Sequence, residues 1–327
     1  MSDRKISADE PQSPTVVISI IIATYNAREL LAACLRSIEQ HPPQDPYEII
    51  VVDDASVDHT SDMVRNDFPQ VRLLRNPVNR HYAFSNNRAF ECARGEYFLQ
   101  LNNDTIVLPD AFDRMLAFLR QHPQVGAVGC KLLNEDGSVQ WSVKSLPNPG
   151  SALFGSRSIF ARLFPNNPFS RRHLLHMDCD MTTPFAAGYV SGAAVLIPRH
   201  IIMKVGGLDR RLSYHVDADY CKRIADLGYP SYYLPTATII HLNHKGGTMV
   251  SFRRRFRSLV EFHRGSYIYY RKHAARSLWT PIHLLVVLGL SARFLVSLLA
   301  QSCSEVIRVL RPPARQLAGL AWRDRGV

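Results

Sequence analysis

The sequence predicts an α/β protein built around a mostly parallel sheet, and two observations lead to this prediction. Short apolar runs, rich in β-branched residues, alternate with segments of helical periodicity, which is the pattern of repeated β-α-β units. Small clusters of polar residues follow the apolar runs directly. Because open α/β sheets bind ligands beyond the carboxyl ends of their strands, these clusters are the first candidates for a functional site.

The first 130 residues supply most of the predicted elements. The run 16–23 is continuously apolar, as expected of a strand buried on both faces, and the helix at 28–40 has one apolar face. The same reasoning predicts a helix from about Asp58 and further helices at 85–94 and 109–120, with strands at 48–52, 71–75, 96–101 and 125–130.

The second half of the chain is less regular. Residues 144–185 are rich in Pro, Asn, Phe and Arg, and they are expected to form either a ligand-facing loop region or a simple surface insertion. Beyond them the pattern predicts a strand at 189–198, a short helix at 200–205, a helix at 217–227 and a strand at 237–240.

Composition restricts the class of protein and of partner. The 327 residues include 39 Lys and Arg against 28 Asp and Glu, a net charge of +11 that is concentrated in 251–278 and favours an anionic partner. Six scattered cysteines without a CxxC pair indicate a reducing, cytoplasmic compartment with no disulfide framework or zinc site. Residues 1–14 are polar, so they predict a disordered arm and no secretory signal.

The C-terminal segment predicts a membrane-associating helix. Residues 282–300 are strongly apolar and approach the roughly 20 residues that span a bilayer. Helical spacing places Arg293, Ser297, Gln301, Ser304 and Arg308 on one face, with Leu288, Leu295, Leu299, Val306 and Leu310 roughly opposite. This spacing favours an amphipathic helix that lies in the membrane interface, with the preceding basic segment bound to anionic lipid. The alternatives are a helix packed on the protein's own core and a helix that spans the membrane.

Six segments carry the chemistry, and their order is informative: 19–27 (SIIIATYNA), 48–58 (EIIVVDDASVD), 79–90 (NRHYAFSNNRAF), 99–107 (LQLNNDTIV), 207–223 (GLDRRLSYHVDADYCKR) and 241–248 (HLNHKGGT). In this order they resemble the inverting family 2 glycosyltransferases of GT-A fold, especially the rhamnosyltransferase-like members of polysaccharide assembly. The resemblance covers roughly 16–250. It implies a GT-A domain at 15–250, followed by the membrane-associating tail at 251–327.

The resemblance implies transfer from a nucleotide diphosphate sugar, such as dTDP-rhamnose or a UDP-hexose, to a lipid-linked or polysaccharide acceptor. Asp104, in the place of the family's DxD motif, is expected to bind Mg²⁺ or Mn²⁺ and bridge it to the diphosphate. Asn102 replaces the first acid, which weakens the expected site, and a plain turn is the alternative. His244 is the best second ligand, with His241 as the other possibility.

The resemblance also assigns the donor pocket. Asp53 and Asp54 are expected to contact the nucleoside, and an Asp helix cap is the alternative for either of them. His81 occupies the place of a family glycine, which puts the backbone conformation there in question. The other expected donor contacts are Thr24, Tyr25, Asn26, Asn79, Arg88, Asn102 and Asn103.

Asp217 is the expected general base, because it stands in the place of the family's Glu-Asp-x-Asp pattern, and Asp219 is the second candidate. Val216 replaces the family's Glu, and an interaction of both aspartates with the helix dipole is the alternative.

Three other functions were weighed against the transferase. A nucleotidyltransferase is disfavoured, because residues 23–29 contain no glycine for a phosphate loop. A nucleic-acid binder is disfavoured, because the basic segment lies beside an apolar stretch and carries no recognised motif. A catalytically degenerate, membrane-associated assembly protein remains the alternative, since Asn102 and Val216 replace acids. The expected location is the cytoplasm, peripheral at the inner face of the cell membrane.

Overall fold

The computed structural model describes residues 16–148, 180–242, 252–275, 277 and 279–310. The helices are α1 Arg28–Gln40, α2 Thr60–Asp67, α3 Tyr82–Cys92, α4 Ala111–Gln121, α5 Arg199–Val205, α6 Val216–Asp226, α7 Phe252–His273 and α8 Pro281–Leu310. The strands are β1 Ile18–Thr24, β2 Tyr47–Asp53, β3 Arg72–Arg75, β4 Tyr97–Leu101, β5 Thr105–Val107, β6 Ala127–Leu133, β7 Val143–Lys144, β8 Phe185–Ala187, β9 Tyr189–Val190, β10 Ala194–Pro198 and β11 Ser231–His241.

One mixed sheet organises the described chain, in the order β3-β2-β1-β4-β10-β6-β11-β5, with β8 paired to β11. The strands β3, β2, β1 and β4 are parallel to their neighbours, so the carboxyl ends of these four strands meet at one edge. Strand β10 is inserted antiparallel between β4 and β6. The strands β7 and β9 form a separate pair. The expected α/β sheet of GT-A type is confirmed.

Helices cover both faces of the sheet, which explains why the β1 sequence is mainly apolar on both sides. Ile20 and Ile22 face a core shared with α1, α2 and α4, whereas Ile21 faces a core shared with α3, α5 and α6. All three isoleucines have no exposed surface. A strand buried on both sides needs apolar residues at every position rather than at alternate ones.

Helix α7 packs on the segment that leads into α6. The His215 Nε2 lies 2.9 Å from Ser266 Oγ, and Ser213 Oγ donates to Glu261 Oε2 at 3.1 Å. Gly265 permits the close approach, because a Cβ at that position would lie 2.9 Å from the Tyr214 carbonyl oxygen. Helix α7, which carries much of the basic segment, therefore contacts the α/β domain directly.

Helix α8 packs on α7 and presents an apolar face outward. The His283 ring stacks on Tyr270 at 5.8 Å, and the Arg293 guanidinium lies 5.1 Å from the Phe262 ring centre. The stretch Pro281–Cys303 is long and apolar enough to cross a membrane, by length and composition, and it is not buried in the protein. The Arg293 side of the amphipathic helix thus faces α7 rather than water, because an arginine can pack its planar head on an aromatic ring.

Candidate functional site

The ends of β1 and β2 form a wall that is held together by internal hydrogen bonds. Thr24 is buried and accepts a hydrogen bond from Asn103 Nδ2 at 2.9 Å. Asn26 has a positive φ of 48°, receives a hydrogen bond from Val57 N–H, and donates its own N–H to Ser56 Oγ. Tyr25 projects from this wall with 49% of its surface exposed, so its ring is accessible to a ligand.

The two aspartates that end β2 organise the loops around them. Asp53 has no exposed surface; it accepts from the Ser56 N–H at 2.9 Å and from the Ser61 hydroxyl. Asp53 therefore stabilises the loop that follows β2, and its contact with the nucleoside stays a prediction. A short aspartate that binds the N–H groups of the following turn is a common way to fix such a loop.

Asp54 closes the loop that leads into α3. Its carboxylate accepts from the N–H groups of Arg80 and His81, at 2.9 and 2.7 Å, and from Asn76 Nδ2 at 2.7 Å. His81 is held at φ 69° and ψ 170°, a region that glycine alone occupies readily. The backbone conformation expected for the family's glycine is therefore retained, although this chain has His81 at that position.

The expected donor contacts Asn79 and Arg88 also take part in this loop. Asn79 Oδ1 accepts from His81 N–H at 3.3 Å. Arg88 Nη1 donates to the Arg75 carbonyl and to Asn76 Oδ1, both at 2.7 Å. The Arg88 guanidinium thus holds the Asn76 side chain, and its expected contact with the donor stays a prediction.

The end of β4 forms the candidate metal centre. Asp104 is 7% exposed, and its Oδ1 lies 3.3 Å from His241 Nε2. The β5–β11 register, which opposes Thr105 to His241, brings these two side chains together. Asn102 Nδ2 lies 3.4 Å from the same His241 nitrogen. Residue 244, the preferred second ligand, lies outside the described residues.

Gln140 fixes the orientation of the His241 ring. Its Oε1 lies 2.9 Å from His241 Nδ1, and its Nε2 donates to the His241 carbonyl at 2.5 Å. When Nδ1–H donates to Gln140, the Nε2 lone pair points toward Asp104 and is free to bind a cation. The irregular sequence around Gln140 gave no signal for this role, which depends on a contact across about 100 residues of chain.

The donor set fits a divalent cation that is completed by its substrate. Within the described residues, no group of three or more His, Cys, Asp or Glu side chains could hold a metal ion. One carboxylate and one imidazole leave most coordination positions to phosphate oxygens and water, which is how Mg²⁺ and similar ions bind with nucleotides. The residues present therefore fit an ion that arrives with a diphosphate.

Asp217 lies in the first turn of α6, beside Gly192. Burial raises the pKa of the Asp217 carboxyl, while the Gly192 N–H and the charge of Lys144 lower it in part. Tyr82 connects this carboxylate to the metal centre: burial raises the pKa of Tyr82 well above its usual value, and the charges of Asp217 and Asp104 raise it further. Both expected aspartates, Asp104 and Asp217, therefore lie within electrostatic range of the Tyr82 hydroxyl.

Asp219, the second candidate base, is enclosed at the contact between α6 and α7. It has no exposed surface, and its carboxylate lies 3.0 Å from Arg223 Nε and 2.7 Å from both Lys272 Nζ and His273 Nε2. A carboxylate enclosed by three cationic or hydrogen-bonding partners is suited to joining α6 to α7. The structure brings Asp217, and not Asp219, to the site.

Comparison with known proteins finds related glycosyltransferases. A family model described as glycosyl transferase family 2 matches residues 19–193, more than half of the chain. The chain is 26% identical over 267 residues to the N-acetylglucosaminyl-diphospho-decaprenol L-rhamnosyltransferase of Mycobacterium tuberculosis, which covers 78% of this chain and 84% of that protein. It is 32% identical to the poly(ribitol-phosphate) beta-glucosyltransferase of Bacillus spizizenii over 149 residues, covering 44% of this chain and 23% of that protein.

Solved structures show the same fold. The mannosyltransferase PcManGT of Pyrobaculum calidifontis, in complex with GDP-Man and Mn²⁺, superposes with a TM-score of 0.56 at 20% identity, covering 95% of this chain and 80% of that chain. GalNAc-T7 with UDP, GalNAc and Mn²⁺ superposes with a TM-score of 0.53 at 14% identity, covering 70% of this chain and 44% of that chain.

Proposed function

Because the chain belongs to glycosyl transferase family 2 and has the GT-A fold, we propose that it transfers a hexose or deoxyhexose from a nucleotide diphosphate sugar with inversion, in cell-surface glycan synthesis. The observation that carries the proposal is that Asp104, which is paired with His241, and the Asp217 carboxylate both lie within electrostatic range of the Tyr82 hydroxyl. A site that separates a cation position from a base is what single displacement on a diphosphate sugar requires.

The proposed base is Asp217. Its carboxylate takes the proton of the acceptor hydroxyl as that oxygen bonds to the anomeric carbon, and the bond from this carbon to the nucleotide diphosphate breaks. Burial raises the pKa of Asp217, which brings it nearer to the pKa that suits a general base at neutral pH. Asp219 is proposed to anchor α6 rather than to react.

The proposed metal ligands are Asp104 and His241, with residue 244 as a further candidate. A bound Mg²⁺ or Mn²⁺ would neutralise the charge that develops on the leaving diphosphate. The contact with Gln140 keeps the His241 ring in place. The nucleoside is proposed to bind against the wall formed by Thr24, Tyr25, Asn26 and Asn103.

The similarity to a rhamnosyltransferase and to a mannosyltransferase bound to GDP-Man supports a hexose or deoxyhexose donor. It also supports an acceptor on a lipid carrier, because the mycobacterial relative is named for a diphospho-decaprenol substrate. We propose dTDP-rhamnose as the first donor to test, followed by UDP-hexoses.

The apolar face of α8 and the basic face of α7 support association with an anionic membrane surface. Leu285, Leu288 and Leu299 are 67%, 56% and 66% exposed, although leucine side chains on a soluble domain are normally covered. We propose that the protein is cytoplasmic and peripheral at the inner face of the cell membrane, where a lipid-linked acceptor would be presented.

The first experiment is a donor screen. Release of nucleotide diphosphate from dTDP-, UDP- and GDP-sugars would be followed with Mg²⁺, with Mn²⁺ and with chelator, for the wild type and for Asp217→Asn. Asp67→Asn is the matched control, because Asp67 is exposed at the end of α2. Metal-dependent release that is lost only in Asp217→Asn would support the proposal and identify the donor class.

The second candidate is a catalytically degenerate assembly protein. The observation that favours it is Val216, which is 5% exposed and packed in the core where the related pattern has a glutamate. No release from any donor, even with membrane extract as the source of acceptor, would contradict the transferase and favour this candidate.

A further inference from the structure

Gly192 is the meeting point of three elements that carry residues of the proposed site. It lies between β9 and β10, and its carbonyl oxygen accepts from the Tyr82 hydroxyl and from Gln100 Nε2, both at 3.2 Å. Gln100 Nε2 also donates to the Tyr82 oxygen at 2.7 Å. On its other side, the Gly192 N–H donates to the Asp217 carboxylate. Helix α3, strand β4 and helix α6 are thus joined through the backbone of one residue.

This junction has no spare space. A Cβ on Gly192 would lie 2.5 Å from Asp217 Oδ1 and 2.6 Å from Gln100 Nε2, which is closer than real Cβ atoms approach such groups. Gln100 is only 3% exposed, so neighbouring atoms restrict its movement. A movement of the Tyr82 or Gln100 side chain would therefore displace the Gly192 backbone, and with it the Asp217 carboxylate.

We propose that Tyr82 and Gln100 are positioning residues for the Asp217 carboxylate, acting through the backbone of Gly192. The proposal rests on the proposed function, because it requires Asp217 to be the base. A general base must lie within about 2.6–3.2 Å of the oxygen whose proton it removes. A misplacement of about 1 Å can cost about a hundredfold in rate, even when substrate binding is unchanged.

The charged and titratable groups near Asp217 also determine the expected pH behaviour. They are Tyr82 of α3, Lys144 of β7 and Cys221 of α6 itself. The Gly192 N–H favours the carboxylate form of Asp217, so loosening this contact raises the pKa of the base further. The acid limb of the kcat profile then moves to higher pH, a change that loss of donor binding would not produce.

The test compares Tyr82→Phe, Gln100→Leu and the double variant with the wild type. Tyr82→Phe removes one oxygen atom, and it should lower kcat about ten- to a hundredfold, leave the donor KM within about twofold, and move the acid limb upward. The fold decrease in kcat of the double variant should be much smaller than the product of the two single fold decreases, because both residues act through the same Gly192 carbonyl. Gly192→Ala should lower kcat more than either Tyr82→Phe or Gln100→Leu does. Gly289→Ala is its control, because a Cβ at Gly289 meets nothing within 4 Å.

Two results would overturn the proposal. A raised KM with unchanged kcat in Tyr82→Phe would make the tyrosine a direct substrate contact, and an unchanged kcat and pH profile would remove the positioning role. If Gly192→Ala fails to fold, Tyr82→Phe decides alone. An inactive Asp217→Asn beside an unaffected Tyr82→Phe would overturn this proposal only, whereas an active Asp217→Asn would overturn the proposed base and this proposal together.

Discussion

The most unusual residue conformation in the site is that of His81, and it has a clear physical cause. The carboxylate of Asp54 binds the N–H groups of two consecutive residues, Arg80 and His81, which fixes the chain direction at the start of α3. The resulting φ of 69° and ψ of 170° place a Cβ where glycine has none. The strain persists because a buried carboxylate would otherwise lose two of its partners.

His81→Gly should therefore stabilise the protein. Relief of the strained conformation is worth about 1–3 kcal/mol, and the greater flexibility of unfolded glycine offsets about 0.5–1 kcal/mol of it. The free energy of unfolding in urea should rise by about 1 kcal/mol. His59→Gly is the control: His59 is at φ 62° and ψ 20°, an ordinary left-handed conformation that histidine tolerates better. An equal or smaller gain at position 81 than at position 59 would contradict the strain at His81.

The hydrogen bonds between Gln140 and His241 predict a specific effect on metal affinity. Gln140→Leu removes the partner of His241 Nδ1, so the ring can rotate or change tautomer. The concentration of Mn²⁺ that gives half-maximal donor turnover should rise about 10- to 100-fold. Maximal turnover at saturating Mn²⁺ should change little. An unchanged Mn²⁺ requirement would exclude His241 as a ligand oriented by Gln140.

The raised pKa of Asp217 links activity to a cost in stability. Because the base acts as a carboxylate, kcat should fall as the pH drops through its pKa, at a higher pH than for an ordinary aspartate. Burial disfavours that same charged form in the folded state, so Asp217 makes the protein less stable as the pH rises through this window. Asp217→Asn should accordingly lose turnover about 10²–10⁴-fold and keep or raise its unfolding midpoint at neutral pH. A lowered midpoint would indicate a structural role instead.

At the scale of elements, the α6–α7 junction depends on the buried Asp219. Removal of one partner from a buried ion pair costs about 3–5 kcal/mol, because the remaining charges lose their compensation. Asp219→Ala should therefore lower the free energy of unfolding by about that amount and expose α7 to limited proteolysis. Asp226→Ala on the same helix is the matched control: its pair with Lys222 is exposed and should contribute at most about 1 kcal/mol. Similar losses for the two variants would contradict a buried anchoring role.

The elements also show what the sequence could predict. β1, β2 and β4 were predictable because strands buried on both faces are mainly apolar, and their ends indicated Thr24 and Asp104 as candidate site residues. The expected strand at 189–198 is instead β9 and β10, separated by the turn that carries Gly192. Strands β5, β7 and β8 are too short for a periodic signal, and only the end of β11 was predicted. The His241–Gln140 and Gly192–Asp217 contacts depend on strand pairing, which local patterns do not encode.

At the scale of the whole molecule, α7 connects the proposed membrane surface to the proposed site. The C-terminal end of α7 binds Asp219, two residues from the proposed base, and its middle packs against the segment before α6. The exposed residues Arg253, Arg257 and Arg264 recur at helical spacing along α7, with the exposed Val260 among them. The apolar face of α8 lies beside this helix. A tail docked in this way would orient the proposed site relative to a bilayer, because the described part of the tail contacts the domain through α7.

The orientation predicts salt-dependent binding to anionic vesicles. Each arginine near an anionic surface contributes about 1 kcal/mol, so Arg253→Gln with Arg257→Gln should weaken partitioning onto phosphatidylglycerol vesicles by about 2 kcal/mol, or roughly 30-fold. This difference should shrink as salt is added, because exposed charges are screened over about 10 Å at 0.1 M salt. Leu288→Gln with Leu299→Gln should weaken binding to neutral vesicles as well, since burial of apolar area does not depend on lipid charge. Arg36→Gln, an exposed arginine on α1, is the control and should bind like the wild type. Binding that ignores both pairs of substitutions would place the membrane contact elsewhere on the chain.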